Sequence, residues 1–109
     1  MTSDVRVVLS TFPSIEEART VCRRLVEERL AACANLLPAV ESIYRWQGVV
    51  ETATETMAIL KTTAEGFAKL EARLRELHSY EVPEIVALPV HGGSEAYLRW
   101  VGENVVGEP

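Results

Sequence analysis

The sequence predicts an α+β sandwich, one antiparallel sheet with helices packed on it. Short runs of β-branched and apolar residues at 5–11 and 84–90 have strand character. Two segments in which apolar residues recur at helical spacing lie between them. The stretch 29–63 is rich in Thr, Val, Ile and aromatic residues and turns over at Gln47-Gly48, as a hairpin would.

The first run, Val5-Arg6-Val7-Val8-Leu9-Ser10-Thr11, is nearly continuously apolar, as a central strand requires. Phe12-Pro13-Ser14 stops it. Ser14 and Glu17 have capping-box spacing and open a helix with Ile15, Ala18, Cys22, Leu25 and Val26 on one face. That helix should end near 28–30. Each arm of the following hairpin has room for about 12–16 residues, roughly 40–50 Å at ~3.3 Å per residue. Pro38 cannot donate to a ladder, so it marks a bend or bulge in the first arm. Arms of this length exceed what the domain's own helices need as a platform, and bare edge invites pairing. The hairpin tips are therefore expected to pair with other copies of the chain.

Thr63-Ala64-Glu65 is expected to open a second helix, with Phe67, Leu70, Leu74 and Leu77 on one face. The chain leaves that helix from His78 to Pro83, because a residue before proline is pushed to extended geometry. Residues 84–90 form the last strand, and Gly92-Gly93 breaks it. Ser94 caps a third helix carrying Ala96, Tyr97, Leu98, Trp100 and Val101, and Gly107-Glu108-Pro109 reads as a frayed tail.

The order β-α-β-β-α-β-α contains the split βαβ pattern of ferredoxin-like folds. Right-handed crossovers place the first and third strands in the middle and both helices on one face. The other face needs its own cover. Only the C-terminal helix and other subunits are available for that, a second reason to expect an oligomer.

The 109 residues suffice for a single domain, 1–109, with one core. A net charge of -5 with no basic cluster argues against nucleic acid and anionic membranes as partners. There is no secretory signal pattern, and no apolar stretch approaches the roughly 20 residues that span a bilayer. The two cysteines, Cys22 and Cys33, sit in no CxxC, so the expectation is reduced thiols in a cytoplasm.

Five segments carry a family resemblance. They are Arg29-Leu30-Ala31-Ala32-Cys33-Ala34-Asn35, Tyr44-Arg45-Trp46-Gln47-Gly48, Ile59-Leu60-Lys61-Thr62, His78-Ser79-Tyr80-Glu81-Val82-Pro83-Glu84-Ile85, and Tyr97-Leu98 followed one residue later by Trp100. In this order and spacing the chain resembles the CutA divalent-cation tolerance family. The resemblance implies a ferredoxin-like fold in a tight homotrimer, built like the PII signalling proteins, with hairpins wrapping across subunits. It also implies an association with copper and other divalent metals, weakly bound, and no catalytic reaction.

Each candidate residue has a plain reading beside the functional one. Cys33 is either a buried small hydrophobe or a soft copper ligand, since thiolate suits Cu(I). The resemblance places a copper-associated cysteine here. Cys22 does not match the family's other cysteines, so Cys33 needs His78 or a neighbouring subunit to complete a metal site. His78 either interacts with its helix dipole or serves as metal ligand or proton donor, and the resemblance favours the latter. Lys61 is a snorkelling rim residue or a charge aimed into a cleft, where Glu84 would pair with it. Tyr44, Trp46, Tyr80, Tyr97 and Trp100 read as interface packing, with the alternative that some, Trp46 and Tyr80 among them, line a small-molecule pocket between subunits. His91 reads as a loop residue. No GxSxG, HExxH, P-loop or GxGxxG is present, and no nucleophile–base–acid set is legible.

Overall fold

A computed structural model describes residues 4–106. The expected tail at 107–109 lies outside the described residues. The elements follow the expected order: β1 (Val5–Phe12), α1 (Ile15–Glu27), β2 (Cys33–Trp46), β3 (Val49–Thr63), α2 (Phe67–Leu77), β4 (Val86–Pro89) and α3 (Glu95–Glu103). They build one antiparallel sheet in the order β2-β3-β1-β4, with β1 and β3 in the middle. This is the ferredoxin-like arrangement.

The hairpin dominates the shape. Its arms hold 14 and 15 residues, and they draw the molecule out to 47 Å along one axis against 26 and 22 Å across. Gln47 and Gly48 both have positive φ, 49° and 81°, which matches the two-residue turn whose twist suits paired strands. Trp46 and Val49 face each other directly before and after it. The bend expected at Pro38 is a register shift between Leu37 and Val40, with Ala39 at φ 62°.

Side-chain alternation divides the sheet into two unlike faces. Val8 and Phe12 of β1 and Ala58 and Leu60 of β3 point to one side, where Ala18, Cys22 and Leu25 of α1 and Leu70 and Leu74 of α2 bury them. The Cys22 thiol lies inside this core, and burial pushes its pKa up to about 11, so it stays a thiol. On the other side, among the described residues, only a corner is covered. There Val5 and Ala32 pack against Val101 and Val105 of the C-terminal segment. Val7, Leu9, Met57 and Ile59 are half-buried, and Leu37, Val86 and Leu88 are exposed.

Two boundaries differ from expectation by more than one residue. Thr63 was expected to open the second helix. It instead ends β3, paired with Val5, and its hydroxyl accepts from the Gly66 N–H at 3.0 Å, so α2 begins at Phe67. The last strand was expected over 84–90 and spans only Val86–Pro89, because β4 pairs with β1 over Arg6 to Leu9 alone.

Candidate functional site

Cys33 opens β2 opposite Lys61 of β3, on the sheet face that α1 and α2 do not cover. Its Sγ lies 3.5 Å from the Tyr97 hydroxyl of α3. The hydrogen bond with Cys33, helped by desolvation, holds the Tyr97 phenol above its ordinary pKa. Tyr97 in turn packs at a tilt on Trp100, with ring centroids 5.6 Å apart. Lys61 Nζ donates to Asn35 Oδ1 on the same face.

His78 is the C-cap of α2, and its side chain has no exposed surface. The ring stacks on Phe12 at 4.4 Å, nearly parallel. Nδ1 accepts from the Tyr80 N–H at 3.0 Å, so it carries no proton, and Nε2 donates to the Thr11 carbonyl at 2.7 Å. These two bonds fix the neutral Nε2–H tautomer. Glu17 stands 3.7 Å from Nδ1 and accepts from the Ser79 N–H at 3.0 Å.

Within one chain the structure does not bring His78 and Cys33 together. His78 sits against Phe12 on the helix-covered side and reaches the Thr11 carbonyl. Cys33 is in register with Lys61, and Lys61 with Val7, on the open side. Val7 and Thr11 are four residue steps apart along β1, roughly 13 Å. Both ring nitrogens of His78 are also already engaged. Among the described residues, no three His, Cys, Asp or Glu gather where they could hold a metal ion.

Trp46, Tyr80 and Glu84 do come together. With Tyr44 they line a cleft of about 820 Å³ between the hairpin and the segment after α2. The Tyr80 hydroxyl donates to Glu55 at 2.6 Å. Burial first, and then this bond, raise the Tyr80 pKa well above the ordinary phenol range. Lys61 does not line the cleft, and the expected Lys61–Glu84 pair is not made within the chain. Alternation places both residues on a face but does not say at which end of it. Sequence reasoning missed Glu55, which meets Tyr80 from 25 residues away, and Glu17, read only as a helix cap. No local pattern links Glu55 to the cleft or Glu17 to His78 and Ser79. Tyr97 and Trp100 lie on α3, beside Cys33 and away from the cleft.

Taken together, these features define a ferredoxin-like protein with an overlong hairpin and a thiol at the edge of an uncovered sheet face. Comparison with known proteins identifies the lineage. The model of the CutA1 divalent ion tolerance protein family matches residues 6–104, and the chain belongs to that family. It is 55% identical over 98 residues to the divalent-cation tolerance protein CutA of Thermus thermophilus, covering 90% of this chain and 95% of that protein. The solved structure of the Thermus thermophilus divalent cation tolerance protein superposes with a TM-score of 0.91 at 53% identity, over 94% of this chain and 99% of that one. The periplasmic divalent cation tolerance protein CutA of Archaeoglobus fulgidus superposes with a TM-score of 0.89 at 39% identity, over 94% and 99% of the two chains. No helix among the described residues is long and apolar enough to cross a membrane.

Proposed function

We propose that this chain forms a homotrimeric, non-enzymatic binding protein for copper and other divalent cations, acting in the cytoplasm. The observation that carries the proposal is the position of Cys33. The thiol is half-buried on the face that α1 and α2 leave bare, with the Tyr97 hydroxyl of α3 3.5 Å away. A thiolate is a soft donor that suits Cu(I). One thiol is too few for a closed site, so a neighbouring copy supplies the remaining donors, and binding is weak. Family membership supports the cation reading, because the relatives are described as divalent-cation tolerance proteins. Self-association is supported by the apolar residues that one chain leaves in water: Trp46 is 53% exposed, and Tyr44, Tyr97 and Trp100 are each about 40% exposed.

Titration of copper into wild type and Cys33→Ser, followed by calorimetry, tests the proposal. The variant is expected to lose affinity while keeping its mass by light scattering. Unchanged affinity removes Cys33 from the site.

A second reading has one specific observation in its favour. The cleft lined by Trp46, Tyr80 and Glu84 is large enough for a metabolite. In that reading the assembled protein senses or converts a small molecule there, and Lys61 takes part only from a neighbouring copy.

A further inference from the structure

The second reading leaves the ligand's chemistry open, and the lining of the cleft narrows it. The inference below rests on that reading. Three aromatic side chains, Tyr44, Trp46 and Tyr80, form walls of the cleft. Among the described residues the charged groups around them are unequal in number: Glu51, Glu55, Glu81 and Glu84 stand against a single cation, Arg45. Arg45 donates to the Gly48 carbonyl at 3.3 Å, back across the hairpin turn. Among the described residues, none of these four carboxylates lies within ion-pair distance of a Lys, Arg or His. Tyr80 does not relieve the imbalance. Its phenol stays protonated at neutral pH and donates to Glu55, which orients that carboxylate and leaves its charge in place.

The cleft is therefore negative and aromatic together. A compact divalent ion does not match it, because hard cations need six or more converging oxygens, and these carboxylates do not converge. An organic cation matches both features. An ammonium is attracted to the faces of Trp and Tyr, by about 0.5–2 kcal/mol according to desolvation, while its hydrocarbon body covers apolar wall. We propose that the cleft binds a small organic ammonium compound, with Trp46 and Tyr80 as its aromatic contacts and Glu55 as its oriented counter-charge.

The test uses the full assembled protein in a metal chelator at neutral pH. Choline, 1,5-diaminopentane and the dianion glutarate are titrated separately, and the indole N–H signal of Trp46 is followed by NMR, with Trp100 as the internal control. The expected result is a saturable shift of Trp46 with choline or diaminopentane, no shift with glutarate, and roughly fivefold weaker binding in Glu55→Gln. Cys33→Ser should bind the ammonium probes as wild type does. A shift with glutarate but with neither cation overturns the cation class and leaves the small-molecule reading standing. Equal affinities in wild type and Glu55→Gln reduce the effect to general surface charge and overturn the proposal, as does the absence of any shift. Mass spectrometry of compounds released on denaturation then decides separately whether the cleft carries a small molecule of another class.

Discussion

The Cys33 thiol and the Tyr97 hydroxyl stand 3.5 Å apart, joining the first residue of β2 to the C-terminal helix. The contact places the chain's accessible soft donor next to α3, where cover of the open sheet face stops. Cys22, the other thiol, is sealed on the core-facing side of α1. The two cysteines thus have different chemistry: helical spacing turns Cys22 into the core, and strand alternation puts Cys33 on the open face.

The C-terminal segment is held by close packing as well as by hydrogen bonds. Arg29 donates to the Glu103 carbonyl at 2.8 Å, and the Val106 N–H donates to the Arg29 carbonyl at 2.9 Å. A Cβ on Gly66 would meet Val105 Cγ1 at 2.7 Å and Thr63 Oγ1 at 3.1 Å. Gly66→Ala is expected to destabilise by about 1–3 kcal/mol, through overpacking and not through backbone strain. The urea unfolding midpoint checks this. A midpoint at or above that of wild type means the segment yields at no cost.

Tyr80 gives an alkaline signature. Its pKa and that of Tyr97 are both raised in the folded chain. A group with a raised folded pKa holds its proton more tightly when folded, so its contribution is complete below the unfolded value, about 10, and is lost as pH rises through the folded value. Stability should therefore fall above pH ~10, and Tyr80→Phe should fall less steeply. Thermal unfolding across that range, with phenolate absorbance followed in parallel, is the measurement. An identical alkaline slope in the variant contradicts the assignment.

Trp46 stands beside the hairpin turn, opposite Val49, and is 53% exposed. A large aromatic at such a site becomes an anchor once a partner covers it. Trp46→Ala is expected to weaken assembly by about 2 kcal/mol or more, seen as dissociation on dilution in sedimentation or light scattering. A variant as resistant to dilution as wild type argues that the hairpin tip lies outside the interface.

The strands and faces were legible in the sequence because alternation and turn chemistry are local. Gln47-Gly48 specified the turn and Pro38 the bulge. What was not legible depends on distant partners. The extent of β4 follows from how much of β1 is free to pair with it. Thr63 stays in β3 because Val5 lies opposite. The site was less readable than the fold. His78 has both nitrogens committed by a carbonyl 67 residues away and an amide two residues on, and the pairing of Tyr80 with Glu55 has no sequence pattern at all.

Native mass spectrometry of metal-free protein, before and after addition of copper, is the decisive measurement for Cys33 and for the assembly. The expected result is a trimer that takes up copper in proportion to its Cys33 thiols, and a Cys33→Ser trimer of the same oligomeric state that does not. A monomer, or a Cys33→Ser trimer that loads copper as wild type does, contradicts it.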